Sequence, residues 1–327
     1  MEISVVIPTY NRKIRLKSLL ENLNRSTYPI KEVIIVDSGD DKLALQEYAK
    51  FLNLTVIYLE SESSVCIQRN KGIRAASSPW IFICDDDIEV PTDYLGQLVR
   101  HIENNPESGA ISGIVLEQEQ GEWKSGYDIH SAKELFCKYI FQLSIWGKIN
   151  CRHNNFIIRG IKKHYSKLGN HISKAGWPVI TDFSGDYFIT PVYGLGASLI
   201  RKSWLEVSPY EESLDQHGIG DNYGVAIGFP TIGVHVLNNA FVYHHKESAN
   251  RLQKPLQYYR RVLALDYFIK TKSNIANVKK RWLLWSLFGN IMVSFFRRDR
   301  LMITPGIKTL WHVFTGRNPY VERLKSN

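Results

Sequence analysis

Short apolar runs alternate with amphipathic stretches along the first 120 residues. Five runs are four to seven residues long and mostly apolar on both faces, which is typical of strands buried in a parallel sheet. These runs predict strands at Ile3–Ile7, Val33–Val36, Leu54–Leu59, Trp80–Cys84 and Ala110–Leu116. The stretches between them carry apolar residues at helical spacing. The pattern therefore predicts an α/β fold with a mostly parallel sheet flanked by helices.

The alternation also predicts where individual helices begin and where the regular pattern stops. Asn11 is expected to cap the first helix, because its side chain can accept a hydrogen bond from a free backbone N–H. Residues 121–193 are instead rich in aromatic and basic side chains, and one helix is predicted within 132–149. From Lys254 onward the chain is predicted to be helical.

Polar residues gather where the predicted strands end. Thr9 follows the first strand, Asp37 follows the second, and Asp85, Asp86 and Asp87 follow the fourth. The carboxyl ends of parallel strands lie at one edge of a sheet, where ligands bind. Adjacent carboxylates repel one another there unless a cation offsets their charge. The acids predict a divalent metal held with a phosphorylated ligand, and the alternative is a solvated acidic turn.

Several segments carry a resemblance to family 2 glycosyltransferases, which have the GT-A fold and use nucleotide-activated sugars. The segments are SVVIPTYNR (4–12), VIIVDSGD (33–40), QRNKGIR (68–74), ICDDDIEV (83–90), GLGASLIRKSWLE (194–206), YEESLDQHGIGDNYG (210–224) and HHKE (244–247). The resemblance covers about residues 1–250. It implies a Rossmann-like, mostly parallel sheet flanked by helices.

The resemblance implies roles in donor binding for five positions. Thr9 and Asp37 match positions that contact the base and ribose of the nucleotide. Arg69 and Asn70 match a basic and an amide residue near the nucleotide and diphosphate. Asp86 matches a position close to the ribose.

The same resemblance implies a metal site. Asp85 and Asp87 match the two acids of the family's DxD motif, and Asp87 is expected to be the direct ligand of Mn²⁺ or Mg²⁺. His244 or His245 matches a late histidine that completes the coordination. A nitrogen ligand would favour Mn²⁺. The alternative for the two histidines is a hydrogen-bonded pair at a strand end.

The catalytic base implied by the resemblance is Asp221. The family commonly has Glu-Asp at this point, whereas this chain has Asp221 followed by Asn222. If Asn222 occupies the position of the base, Asp221 or Asp215 must substitute for it. Direct displacement by a base-activated hydroxyl inverts the anomeric centre, so inversion is expected.

These features together predict an inverting glycosyltransferase. Its donor is expected to be a UDP-sugar and its acceptor a hydroxyl of a glycan or a lipid-linked molecule, in bacterial-type surface polysaccharide synthesis. The alternatives are a sugar nucleotidyltransferase and a non-catalytic protein that binds nucleotide sugars. The first needs a glycine-rich loop after strand one, which residues 8–12 do not provide. A nicotinamide dehydrogenase is disfavoured because no GxGxxG follows that strand.

Two domains are predicted from these patterns and from the distribution of charge. A catalytic domain would span residues 1–250, with a nucleotide-binding half (1–120) and an acceptor-binding half (121–250). A helical, basic extension would span residues 251–327. Residues 246–327 hold 17 of the 41 Lys and Arg residues but only 4 of the 32 Asp and Glu residues. A basic extension of this kind is suited to a polyanionic surface.

Within the extension, residues 282–296 are strongly apolar and lie between basic clusters. The run is shorter than the roughly 20 residues of a spanning helix. It predicts an interfacial helix that meets an anionic membrane through residues 279–300. The alternatives are packing on the catalytic domain or on a second copy in a homodimer. Nucleic-acid binding is not expected, because the run is rich in Trp and Leu.

The four cysteines lie far apart and form no CxxC pair. This spacing favours a reducing compartment and disfavours a zinc site or a disulfide framework. The chain begins with a strand pattern and not with a basic segment followed by an apolar one. We therefore expect a cytoplasmic protein that is peripheral on the inner face of the cell membrane.

Overall fold

A computed structural model describes residues 1–119, 121–126, 128–230, 233–245, 252–272, 275 and 277–326. The chain forms two compact units. The first contains residues 1–125 and 185–250, and the second contains residues 126–184 and 251–327. The units thus group a central segment with the C-terminal helices. The predicted domain boundaries at residues 120 and 250 stay a prediction.

The described part of the chain contains the following strands and helices, in chain order. The strands are β1 (Ile3–Thr9), β2 (Glu32–Asp37), β3 (Val56–Glu60), β4 (Trp80–Cys84), β5 (Ile88–Glu89), β6 (Ala110–Glu119), β7 (Glu122–Lys124), β8 (Ile145–Trp146), β9 (His171–Ile172), β10 (Pro178–Ile180), β11 (Tyr187–Thr190), β12 (Ala197–Arg201) and β13 (Val234–His244). The helices are α1 (Lys13–Asn24), α2 (Leu45–Tyr48), α3 (Val65–Ala75), α4 (Tyr94–Asn104), α5 (Ala132–Ile140), α6 (Phe156–Leu168), α7 (Lys202–Val207), α8 (Asp221–Ala226), α9 (Lys254–Thr271), α10 (Lys280–Phe296), α11 (Arg300–Thr315) and α12 (Pro319–Ser326). All five strands predicted in the first 120 residues are present.

A large mixed sheet forms the first unit. Its order is β11-β13-β6-β12-β4-β1-β2-β3, with β5 paired to β13 and β7 paired to β6. Strand β1 runs parallel to β2 and β4, and β2 runs parallel to β3. This parallel half confirms the predicted α/β architecture. The fifth predicted strand, β6, is separated from β4 by β12, which runs antiparallel to both.

Burial on both faces explains why the central strands form. Every residue of β1, β2 and β4 is buried. Helix α1 packs its apolar stripe, Leu16, Leu19, Leu20 and Leu23, into this core. Each such side chain contributes roughly 1.5–3 kcal/mol when it is fully buried. The packing fixes the strand ends, and hence the polar residues that follow them, at one edge.

The predicted capping role of Asn11 is wrong. The N-cap of α1 is Arg12, and it makes no side-chain capping hydrogen bond. Asn11 has a positive φ of 52°, and its Oδ1 accepts hydrogen bonds from the backbone N–H groups of Asp40 and Asp41 at 2.8 and 3.0 Å. Its side chain therefore holds the loop after β2 against the loop after β1.

The helix predicted within residues 132–149 is shorter than that range. Helix α5 ends at Ile140, and Gln142 has a positive φ of 53°. A left-handed residue cannot continue a right-handed helix, so the chain turns there. Strand β8 begins three residues later, at Ile145.

The second unit contains a small sheet and helices from both of its segments. Strands β8, β10 and β9 form this sheet in that order. Trp177 donates a hydrogen bond from its indole nitrogen to Ser286 Oγ at 2.9 Å, which joins the central segment to α10. In the described part of the chain, no helix combines the length and the apolar character that a membrane span requires.

Candidate active site

Asp86 is a buried acid at the edge formed by β1 and β4. Its Oδ2 accepts a hydrogen bond from Thr9 Oγ1 at 2.8 Å, and its Oδ1 accepts one from Arg12 Nη1 at 2.8 Å. Burial raises the pKa of Asp86 to about 6, although Arg12 and Thr9 act in the opposite direction. Thr9 and Asp86 are thus brought together, as expected for residues at the ends of neighbouring strands.

Asp87 faces His244, the last residue of strand β13. Its Oδ1 lies 3.2 Å from His244 Nε2, and its Oδ2 lies 3.0 Å from Arg12 Nη1. The second ring nitrogen of His244 lies 3.2 Å from Glu117 Oε1. Burial alone would lower the pKa of His244, but the hydrogen bonds with Asp87 and Glu117 raise it to about 9.

His245 has different neighbours. Its Nε2 lies 2.8 Å from Glu89 Oε2, and its ring contacts Trp123 edge-on at 5.4 Å. Its backbone N–H donates to the carbonyl oxygen of Asp87 at 2.9 Å. Of the two predicted histidine ligands, the structure therefore brings the ring of His244 to Asp87 and directs the ring of His245 to Glu89.

Arg69 connects two acids that are far apart in the chain. Its Nη2 lies 2.5 Å from Asp85 Oδ1, and its Nη1 donates a hydrogen bond to Asp221 Oδ2. The guanidinium also lies over the ring of Tyr210, 4.9 Å from the centroid. Burial raises the pKa of Asp221 to about 6, and Arg69 opposes that rise. The candidate base and the first acid of the DxD motif therefore share one cation.

Gly196, immediately before β12, leaves room for the side chain of Asp85 beside Arg69. The backbone N–H of Asp85 donates to the carbonyl of Gly196 at 2.8 Å. A Cβ added to Gly196 would lie 2.1 Å from Asp85 Oδ2, which is too short for any contact. The backbone at Gly196 thus approaches the acidic segment closely.

Asn70 is buried and its amide is fully engaged within the first unit. Its Nδ2 donates to Tyr210 O at 2.9 Å and to Glu212 Oε1 at 2.8 Å, while its Oδ1 accepts from Tyr210 N at 3.0 Å. These bonds hold the segment that precedes Asp221. The predicted contact of Asn70 with the diphosphate stays a prediction.

Asp37 lies at the same edge, one strand from Thr9. Its carboxylate accepts hydrogen bonds from Gly39 N at 2.8 Å and Tyr58 OH at 3.2 Å. Burial raises its pKa, and these two donors oppose the rise. Gln68 donates from Nε2 to Thr9 O at 2.7 Å and to Val36 O at 2.8 Å, so it fixes the spacing of β1 and β2.

The residues around Asp87 fit a hard divalent cation. Adjacent ligands of an octahedral ion with bonds near 2.1 Å lie about 3 Å apart, which matches the 3.2 Å between Asp87 Oδ1 and His244 Nε2. Within the described residues, no group of three or more His, Cys, Asp or Glu side chains has metal-binding geometry. Two protein ligands suffice where substrate phosphates and water supply the others.

Sequence reasoning missed three residues that shape this site. Arg12 and Gln68 lie within the segments 4–12 and 68–74, each beside a residue named in the sequence analysis, so that proximity along the chain was an available signal. Glu117 stands near the end of a long strand, and no local pattern connects it with His244. That contact depends on the parallel pairing of β6 with β13.

Comparison with known proteins identifies the family to which this site belongs. Residues 4–166 match the family model described as "Glycosyl transferase family 2". The chain belongs to glycosyltransferase family 2. The matched family 2 segment supplies Thr9, Asp37, Arg69 and the three acids. Asp221 and the histidines lie beyond it.

Curated relatives match a segment of this family 2 glycosyltransferase. An uncharacterized glycosyltransferase of Bacillus subtilis, YwdF, is 38% identical over 104 residues, which are 32% of this chain and 39% of that protein. A poly-beta-1,6-N-acetyl-D-glucosamine synthase of Staphylococcus epidermidis is 27% identical over 114 residues, which are 34% of this chain and 28% of that protein. The chain thus matches less than half of the length of these relatives.

A solved structure resembles a larger part of the chain. The crystal structure of S. aureus TarS 1-349 in complex with UDP-GlcNAc superimposes with a TM-score of 0.55 and 15% identity, covering 95% of this chain and 82% of that one. At this identity the likeness concerns the fold. The family 2 glycosyltransferase has the GT-A type of fold, with additional C-terminal helices.

The shared cation Arg69 generates a prediction about stability. Replacing Arg69 with Met leaves two carboxylates, one of them buried, without their partner, so we expect Arg69→Met to lower the free energy of unfolding by about 3–5 kcal/mol. Urea denaturation followed by circular dichroism at pH 7 measures this change. Arg74 lies on the same helix, is 66% exposed and is 3.6 Å from Glu212.

Arg74→Met is therefore the matched control, and we expect it to change the free energy of unfolding by less than about 0.5 kcal/mol. Equal losses in the two variants would contradict the assignment of Arg69 as the cation that balances Asp85 and Asp221.

Proposed function

We propose that the first unit transfers a sugar from a UDP-sugar to an acceptor hydroxyl with inversion of the anomeric centre. The observation that carries the proposal is the shared guanidinium of Arg69. It places the candidate base, Asp221, beside Asp85 of the DxD motif. The reaction needs a base that accepts the proton of the attacking hydroxyl and a site that stabilises the leaving diphosphate. Asp221 and Asp85 are the candidates for these two tasks, and they lie on the same guanidinium.

Nucleoside binding is assigned to the ends of β1 and β2. Thr9 and Asp37 are partners in the register of these parallel strands, so both side chains belong to one edge of the sheet. An Asp37 carboxylate can accept a hydrogen bond from the imide N–H of uracil. The UDP-GlcNAc in the TarS complex supports a nucleotide sugar as the donor class. A screen of nucleotide sugars would identify the sugar of the donor.

A Mn²⁺ or Mg²⁺ ion is assigned to Asp87 and His244, with Asp85 at its side. When bound, the ion supplies Lewis-acid stabilisation of the negative charge that the leaving diphosphate gains. The protein's own contribution is to hold the two ligands 3.2 Å apart and to orient them through Arg12 and Glu117. Asp86, held by Thr9 and Arg12, is assigned to the ribose side.

Asp221 is assigned as the catalytic base. Its burial holds the pKa near 6, so the carboxylate is ionised at neutral pH but is a better proton acceptor than an ordinary aspartate. Its Oδ2 is fixed by Arg69 and its Oδ1 by the backbone N–H of Asn222, at 2.6 Å. A fixed carboxylate that removes the proton of the attacking hydroxyl supports a single displacement, and hence inversion.

Replacing the base tests this proposal. We expect Asp221→Asn to lower kcat by about 10² to 10⁴-fold while KM for the donor changes little. The assay measures UDP release from a panel of UDP-sugars with Mn²⁺, with water as the acceptor where no other is known. Because the base must be ionised, the kcat of the wild type should fall as pH decreases through about 6.

Asp215→Asn is the control that separates the two acids. Asp215 accepts a hydrogen bond from the backbone of His217 at 2.8 Å, and this variant should keep kcat within a few-fold of the wild type. If Asp215→Asn abolishes UDP release and Asp221→Asn preserves it, the base is Asp215. If both variants keep full turnover, the proposed base catalysis is wrong.

The biological setting proposed for the reaction is the synthesis of a bacterial surface polysaccharide. Similarity to the S. epidermidis relative, a poly-beta-1,6-N-acetyl-D-glucosamine synthase, supports this class of pathway. The acceptor would then be a growing glycan or a lipid-linked precursor. Such acceptors are handled at the cytoplasmic face of the membrane, which is the location we propose.

Helices α10 and α11 are assigned as the part of the second unit that meets the membrane. They expose large apolar side chains, including Phe295 (63%), Leu301 (75%), Trp311 (59%) and Phe314 (66%). Arg297, Arg298, Arg300 and Lys308 lie on the same helices or between them. Apolar side chains next to cations match an anionic bilayer surface.

Vesicle binding tests the membrane assignment. We expect the protein to sediment with vesicles that contain phosphatidylglycerol, to sediment less with phosphatidylcholine alone, and to be released by salt. Replacing Trp311 and Phe314 with Ser should weaken sedimentation at least tenfold. Leu52, which is 88% exposed in the first unit, provides the control Leu52→Ser, which should bind as the wild type does.

Two results would contradict the membrane assignment. The first is equal sedimentation of the Trp311/Phe314 variant and the wild type. The second is a homodimer in solution that becomes monomeric in that variant, because a second copy of the chain would then cover these helices.

A further inference from the structure

A cavity lies within the second unit, and none of the residues that line it is among those assigned to glycosyl transfer. Its volume is about 530 Å³, and residues from α5, α9 and α10 line it. This volume falls in the range of small-molecule sites, roughly 300–1,000 Å³. Trp177, from the central segment, forms part of the wall. The cavity is therefore large enough for a ligand of more than a few atoms.

Positive charge predominates in the lining. Four cations contribute to it, Lys133 and Lys138 from α5, Arg261 from α9 and Arg297 just after α10, but only one acid, Glu134. The Glu134 carboxylate lies 3.9 Å from both Lys138 Nζ and Arg297 Nη2, at the outer limit of an ion pair. One carboxylate shared at this distance leaves most of the positive charge unbalanced.

Arg261 has the least compensation of the four. Among the residues that the structure describes, it has neither a hydrogen-bond nor an ion-pair partner. The residue is exposed to solvent, yet enough protein surrounds its guanidinium that burial lowers its pKa. Arginine remains protonated in proteins, so the group stays a cation with five unused donors. Tyr258, three residues earlier on α9, lines the same cavity.

The remaining wall divides into a polar and an apolar part. Ser131, Ser144 and Asn290 offer hydroxyl and amide groups. Leu143, Val293 and Phe296 offer apolar surface. A ligand that fills the cavity must therefore combine an anionic group with an apolar one, or leave part of the wall in contact with water.

We propose that this cavity binds a phosphate group with two negative charges, and that its apolar wall accepts a hydrocarbon chain attached to that phosphate. Arginine forms forked hydrogen bonds with phosphate oxygens, and Arg261 has its donors unused. A dianion would neutralise most of the excess charge of the lining. The site is independent of the donor site in the first unit, so it stands whether or not that site transfers sugars.

Calorimetric titration of the full chain tests the proposal with three probes. These are dodecyl phosphate below its critical micelle concentration, inorganic phosphate, and dodecyl maltoside as a neutral amphiphile. We expect saturable binding of dodecyl phosphate at one site, weakened at least tenfold in Arg261→Gln and partly restored in Arg261→Lys. Arg159, an exposed residue of α6 outside the cavity, provides the charge-matched control Arg159→Gln, which should bind as the wild type does.

The three probes also distinguish the source of the phosphate. Tighter binding of dodecyl phosphate than of inorganic phosphate supports a phosphate carried by a lipid. Equal binding of the two, with the same loss in Arg261→Gln, supports a free or soluble phosphate and overturns the role of the apolar wall. Equal binding of dodecyl maltoside, or undiminished binding in Arg261→Gln, overturns the phosphate site.

A folding control keeps the test decisive. The thermal unfolding midpoint of each variant should match that of the wild type. If Arg261→Gln does not fold, Arg297→Gln takes its place, because the Arg297 side chain is 64% exposed and its removal leaves no buried charge. Undiminished binding in that variant would likewise overturn the proposal.

Discussion

Charge balance at one edge of the sheet is the constraint on which the site depends. Parallel strands deliver their carboxyl ends to that edge, and here they deliver Asp37, Asp85, Asp86 and Asp87, joined by Asp221 from a distant helix. Buried carboxylates that are close together destabilise the fold unless cations offset them. Arg12 and Arg69 provide this offset, each by contacting two acids at once.

The two arginines divide the acids into two groups with different chemistry. Arg12 holds Asp86 and Asp87 on the side of His244, where a cation and a diphosphate would be bound. Arg69 holds Asp85 and Asp221 on the side where an acceptor proton would be removed. Under the proposed roles, donor activation and base catalysis would thus be adjacent without the acids repelling one another.

Local patterns in the sequence were sufficient to predict the parallel half of the sheet and the acids at its edge. Strands such as Trp80–Cys84 are apolar throughout, so the acids that directly follow them are predicted to lie at the ends of the strands. Long-range contacts were beyond such patterns. The pairing of Arg69 with Asp221, the insertion of β12 between β4 and β6, and the contact of Glu117 with His244 each depend on the tertiary path of the chain.

The grouping of residues 126–184 with the C-terminal helices was also beyond local sequence patterns. A hydrogen bond that joins these two segments, from Trp177 to Ser286, connects residues more than 100 positions apart. A structure of the protein with UDP and Mn²⁺ bound would test the metal and nucleotide assignments most directly. We expect the ion within about 2.3 Å of Asp87 and His244, with the diphosphate on the same ion and the uracil beside Asp37. An ion and nucleotide bound elsewhere on the chain, with Asp87 contacting neither, would contradict these assignments.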